Sequence, residues 1–286
     1  MPSLNDIKRR ISSVKSTQKI TRAMKMVAAS KLRRAQQAIT RTRPYAYNLR
    51  NLVSSVAARA DLVAHPLLRP ARGEGKIGIV VVTSDRGLCG GFNAGIVHRA
   101  LTCLKKDFPK REVELTVVGR KGLESLRRRP CTIRASFTGA SDKPAIRAAA
   151  EIIDDIVADF MSGETDEVYC LYNEFKSAVQ QDVTLEQMLP VVPEPYEGEG
   201  LPLDYLYEPD QETVFAELLV RHMHVQMHRI LLESSASEYG ARMTAMDSAT
   251  RNAGDVIDRL TLQYNRARQD AITTQLIEVV SGAEAL

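Results

Sequence analysis

"YGARMTAMDSATRNAGDVIDRLTLQYNRARQDAITT", residues 239–274, sets its less polar positions at alternating steps of four and three. They are Tyr239, Met243, Met246, Thr250, Ala253, Ile257, Leu260, Tyr264, Ala267, Ala271 and Thr274. That spacing is the seam of a coiled coil. After Pro209 no proline follows in 77 residues, so a helix there would reach about 110 Å at ~1.5 Å per residue. Gly240 and Gly254 each weaken it by about 1 kcal/mol relative to Ala, and are read as points of close packing. A periodic run well past 25 residues calls for a partner helix.

The partner is found at the other end of the chain. Residues 3–43 hold neither Gly nor Pro, and Leu4, Ile7, Ile11 and Val14, then Ala28, Leu32, Ala35 and Ile39 keep a three–four register. Between them the register falls on Gln18, Thr21 and Lys25, while Ile20, Met24 and Val27 form a displaced stripe. This predicts a heptad pattern with a local slip. Pro44 is expected to kink or interrupt the helix, which resumes over 45–60. One seam at each terminus implies an antiparallel pair of helices.

The middle alternates strand and helix. Strands are predicted at 76–84, 112–119, 131–137, 166–175 and 178–189, and helices at 92–107, 120–128 and 143–162. Continuous apolar strands separated by helices imply a mainly parallel sheet covered on both faces, a Rossmann-like α/β domain. Residues 190–209, rich in Pro, Gly and Glu, read as the linker to the last helix. The expected division is 1–60, N-terminal coil helix; 61–209, α/β domain with linker; 210–286, C-terminal coil helix.

Charge is distributed unevenly. Residues 1–43 carry twelve Lys and Arg against the single acid Asp6, a net +11, which leaves −7 for the rest of a chain whose total is +4. A basic arm on an acidic body implies an acidic partner. The four cysteines (Cys89, Cys103, Cys131, Cys170) are scattered and read as reduced, buried thiols. No apolar run approaches the ~20 residues of a membrane span. The helical pattern starts by Leu4, leaving no room for a removable leader, and the expectation is a bacterial chain.

Catalytic patterns are thin. "TSDRGLCGGFN" (83–93) ends a strand in a glycine turn but has neither the Lys-Ser/Thr of a phosphate loop nor G-x-G-x-x-G. It reads as a tight strand-to-helix connection. His224 and His228 share a helix face, but His-Val-Gln-Met-His lacks the Glu of H-E-x-x-H. Neither a catalytic residue nor a cofactor or metal site is expected. Rival readings are a nucleic-acid binder using the basic helix, against which no base-reading module is recognisable, and a small nucleotide-dependent enzyme built on the α/β domain.

"STQKITRAMKMVAASKLRRAQ" (16–36), "TSDRGLCGGFN", "YNEFKSAV" (172–179), "YLYEPD" (205–210) and residues 236–286 closely resemble gamma subunits of F-type ATP synthases. The resemblance runs end to end. It implies a non-catalytic central rotor shaft, one copy per complex, that couples ion flow through a membrane ring to the chemistry of an alpha/beta hexamer. The implied partners are alpha and beta subunits, epsilon and the c-ring, with neither nucleic acid nor a membrane span. The implied place is the cytoplasmic face of the bacterial cell membrane, held peripherally. By position, Met24, Lys25, Arg33, Arg34 and Arg242 would meet beta, with Arg268, Gln269 and Thr273 in an upper contact. Tyr205 and Glu208 would lie in the foot, near the ring and epsilon. Asp270 and Gln275 stand where the family commonly has Ala and Glu, which alters the upper contact.

Overall fold

A computed structural model describes residues 3–57, 65–71, 73, 75–140, 143–193 and 205–284. The expected helix end at 58–60 and linker residues 194–204 lie outside these described residues. The chain divides into two compact units, Met1–Ala28 with Arg242–Leu286, and Ala29–Ala241. The elements in order are α1 (Leu4–Ala57), β1 (Lys76–Val82), α2 (Phe92–Thr102), β2 (Val113–Val118), α3 (Arg120–Leu126), β3 (Thr132–Phe137), α4 (Ala145–Ser162), β4 (Thr165–Phe175), β5 (Gln181–Leu189) and α5 (Gln211–Glu284). A 3-10 turn, Pro66–Leu68, precedes β1, and a π turn, Cys103–Asp107, follows α2.

The larger unit is built on one sheet of order β3-β2-β1-β4-β5. Its first four strands run parallel, and β5 pairs with β4 antiparallel. Alternate side chains of a strand point to opposite faces, and here both faces are dry. Ile77, Ile79 and Val81 pack with Phe92, Ile96 and Ala100 of α2, whereas Val80 and Val82 pack with Ile152, Ile153 and Ile156 of α4. The second cluster also takes Val53 and Val56 of α1 and Leu219, Met223, Met227 and Ile230 of α5. Each such side chain contributes about 1.5–3 kcal/mol on full burial. In α4 the buried Ala148, Ala149, Ile152, Ile153 and Ile156 make the one-sided stripe of a surface helix. It stops at Gly163, whose left-handed φ of 80° suits glycine.

In the smaller unit the two helix segments run antiparallel, since Gln18 and Thr21 both meet Thr250 while Lys25 meets Asp247. The 4–3 positions are the covered ones. Ile7, Thr21, Ala28, Met246 and Ala253 are buried, and Ile257, Leu260, Tyr264 and Ala267 half-buried.

Two expectations are corrected. Of the two outcomes expected at Pro44, kink or interruption, the second does not occur: α1 is one helix from Leu4 to Ala57. A proline inside a helix costs ~3 kcal/mol, but Ile39, Leu49 and Val53 on either side of it are buried in the larger unit, and that packing holds the helix together. The heptad slip is also absent. The covered register continues through Gln18, Thr21 and Lys25, and the displaced stripe is left outside, with Ile20 and Val27 each 57% exposed. Smaller shifts occur at ends. The last strand begins at Gln181, three residues later than expected, because Ser177 N–H donates to Gln180 O and closes a turn.

Candidate functional surfaces

The glycine turn is filled by the chain itself. Leu88 and Gly90 take positive φ, 63° and 57°, turning the chain from β1 into α2. Asn93 then ties the turn together: its Oδ1 accepts from Ser84 N–H at 3.0 Å, and its Nδ2 donates to Cys89 Sγ at 3.2 Å. Thr83 and Asp85 close the neighbouring strand end. Thr83 Oγ1 donates to Val118 O at 2.8 Å and accepts from Gly122 N–H at 3.0 Å. Asp85 Oδ1 accepts from Arg120 N–H and Gly139 N–H, both at 3.0 Å. A doubly wound sheet binds phosphates at the carboxyl ends of its strands. Here the Asp85 carboxylate takes two backbone donors at those strand ends.

The histidines do not converge. His224 Nε2 lies 2.9 Å from Asp154 Oδ1, linking α5 to α4. His222 is half-buried beside Arg50 and Arg229; burial first, and then those two guanidiniums, lower it to about 4, with Glu186 opposing. Its Nδ1 is buried without a hydrogen-bond partner. Among the described residues no group of three His, Cys, Asp or Glu could hold a metal ion. Arg229 anchors α5 to the sheet edge, reaching both oxygens of Glu186 at 2.6 and 2.8 Å. Tyr172 Oη donates to the same carboxylate at 2.7 Å. Cys89, Cys103 and Cys170 are buried thiols, and burial raises the Cys103 thiol to about 11, which makes it a poor nucleophile.

The residues singled out by resemblance fall in both units. In the smaller one, Lys25 Nζ lies 2.5 Å from Asp247 Oδ1, with side chains 43% and 32% exposed. Met24 is half-buried and Arg242 is 8% exposed. Arg268, Gln269 and Thr273 are exposed on α5, where Thr273 Oγ1 donates to Gln269 O. In the larger unit Arg33 and Arg34 are exposed on α1. Glu208 is exposed, and Tyr205 stands edge-on to Tyr207 with ring centres 6.4 Å apart. Asp247 and Thr250 were not singled out from the sequence, although Thr250 sits in the seam and Asp247 one step beyond Met246.

Apolar side chains of the smaller unit also face solvent. Met26 and Leu262 are 63% and 72% exposed, and Ile272, Leu276, Ile277, Val279 and Val280 are exposed toward the end of α5. Exposed apolar sets of this extent mark partner surfaces. Among the described residues no helix is long and apolar enough to cross a membrane.

Comparison with known proteins agrees along the whole length. A family model described as ATP synthase matches residues 3–286. The "ATP synthase gamma chain" of Anaeromyxobacter sp. strain Fw109-5 is 51% identical over 290 residues, covering 100% of both chains. A chain of the Tetrahymena thermophila mitochondrial ATP synthase, from a structure of its central stalk and c-ring, is similar with TM-score 0.61 and 28% identity, over 80% of this chain and 99% of that one. A chain of the Euglena gracilis mitochondrial ATP synthase shares the fold with TM-score 0.70 at 18% identity, over 99% and 94%. The chain belongs to the gamma-subunit family of F-type ATP synthases, the non-catalytic subunits of the central stalk.

Proposed function

We propose that the chain is the shaft of the rotor, one copy per complex, turned by a c-ring and acting on an alpha/beta hexamer. Residues 1–60 and 210–286 serve as the axle and 61–209 as the head. The observation that carries this reading is the outer face of the smaller unit, where Ile20, Met26, Val27 and Leu262 stand in water while the seam accommodates polar pairs such as Thr21 with Thr250. A ligand or partner shifts a conformational equilibrium only through differential contacts. A shaft whose faces differ offers each of several surrounding subunits a different set. Arg33, Arg34, Met24, Lys25 and Arg242 are assigned to contact with beta, and Arg268, Gln269 and Thr273 to an upper contact with the same subunit. Exposed ion pairs contribute about 0–1 kcal/mol each, so such contacts hold and release easily under rotation.

Tyr205 and Glu208 are assigned to the foot, toward the c-ring and epsilon, with the complex placed on the cytoplasmic face of the membrane. The test is reconstitution. The purified chain added to alpha and beta subunits is expected to give an ATPase that none of the three shows alone, and calorimetric titration of the isolated chain with ATP is expected to be flat. Heat of ATP binding would favour the enzyme reading. Binding to duplex DNA that weakens steeply with salt would favour the nucleic-acid reading.

A further inference from the structure

Between residues 18 and 28, α1 offers two stripes for the inside of the coil. One is polar, Gln18, Thr21 and Lys25; the other, one residue back, is Ile20, Met24 and Val27. A turn of about 100° separates them. Burial of apolar area alone would choose the second stripe. The observed helix turns the first inward: Thr21 is 8% exposed with Gln18 and Lys25 half-buried, whereas Ile20 and Val27 are each 57% exposed and only Met24 of the second stripe is half-buried.

Each inward polar group meets a specific acceptor or donor on α5. Thr250 Oγ1 donates to Thr21 Oγ1 at 2.8 Å. Gln18 Nε2 reaches Thr250 O at 3.4 Å, and a Cβ on Gly254 would stand 3.3 Å from the same Nε2. Lys25 Nζ binds Asp247 Oδ1, whose other oxygen lies 3.4 Å from Arg251. Covered polar groups are tolerated only when paired, and these pairs exist in one rotational phase. Turned by one residue, α1 would bury its apolar stripe but give up the links from Thr21 to Thr250 and from Lys25 to Asp247, leaving Thr250 Oγ1 with Met246 O and Asp247 with Arg251, both on α5 itself.

We propose that this polar layer sets the rotational phase of α1, with Lys25, Thr21, Asp247 and Thr250 as positioning residues that hold Ile20 and Val27 outward. A polar pair in a coiled-coil seam that fixes one arrangement in preference to a more apolar alternative is the best attested use of such groups, and here Thr21 is buried while its partners are half-buried. The assignment stands on contacts within this chain and is independent of which subunits surround it.

The test uses the full-length chain with Cys131→Ser, the remaining cysteines being buried, and one added cysteine at a time: Ile20→Cys, Val27→Cys or Ala28→Cys. Ala28 is 2% exposed and marks the inside. In the parent, maleimide is expected to label positions 20 and 27 fast and 28 slowly. Asp247→Ala with Thr250→Val is expected to lower the 27-to-28 rate ratio about tenfold with helical circular dichroism unchanged. Lys25→Asp with Asp247→Lys is expected to keep the parent ratio, while Lys25→Asp alone does not. An unchanged ratio in the double variant overturns the proposal. So does a rise at all three positions with loss of helicity, which would mean that the layer only stabilises the coil.

Discussion

The sheet unit and the coil unit solve the same problem with opposite materials. In the sheet unit the two core clusters are apolar, and charged groups such as Arg229 with Glu186 and Tyr172, or Arg134 with Asp155, sit at their margins. In the coil unit polar pairs such as Thr21 with Thr250 share the seam with Ala28 and Met246, while Ile20 and Val27 face water. A sheet packed on both faces satisfies its needs within one chain. A coil that leaves Val27 and Leu262 in solvent is fitted to surroundings it does not itself supply.

The contrast can be broken first at the core. Ile152, 0% exposed between α4 and the sheet, should cost about 2–5 kcal/mol as Ile152→Ala, read as a lower urea midpoint. A loss below 1 kcal/mol would mean the sheet unit is loosely packed. Next is its pH response. His222 is held at about 4 against an ordinary 6.5. On acidification the unfolded chain takes up this proton first, so stability is complete above 6.5 and falls toward 4. The contribution lost between pH 7.5 and 5 is at most about 2 kcal/mol, and His222→Gln should remove that part of the slope.

The two glycines of α5 sharpen the comparison by sign. A Cβ on Gly240 would meet the backbone of Ala178 at 3.1 and 3.2 Å, whereas one on Gly254 would meet only the end of the Gln18 side chain. Ala is favoured over Gly in a helix by about 1 kcal/mol. Gly254→Ala should therefore raise the melting temperature and Gly240→Ala lower it. Two shifts of equal sign would remove the distinction between a backbone contact and a yielding one. The smallest effect on the chain itself is expected at the outward stripe. Val27→Asn should change stability by less than about 0.5 kcal/mol, yet lower the ATPase recovered on reconstitution with alpha and beta.

Much of this fold was legible in the sequence. Every predicted strand and helix of the α/β unit is present, because β-branched runs alternate there with amphipathic stretches such as 145–162. Gly240 and Gly254 are close approaches, as read from their place in a helix that does not otherwise favour them. What misled was local reasoning at two points of α1. Pro44 carries a real backbone penalty, but buried neighbours outweigh it. Ile20, Met24 and Val27 look like a seam because hydrophobicity, taken alone, assigns them inward.

Candidate contacts were legible only through resemblance, since an exposed Arg33 or Arg268 has no periodic signal of its own. The pair Lys25–Asp247 could have been sought, as opposite charges at facing positions of two antiparallel seams. Finding it required the register, which is a property of both helices together.

The residue order by itself determined two long helices, their antiparallel pairing and a sheet between them, because period and punctuation are local quantities. Which side of α1 faces α5 was decided only by the assembled structure. The polar groups that α1 turns inward meet counterparts on α5 more than two hundred residues away, and no local pattern brings those together.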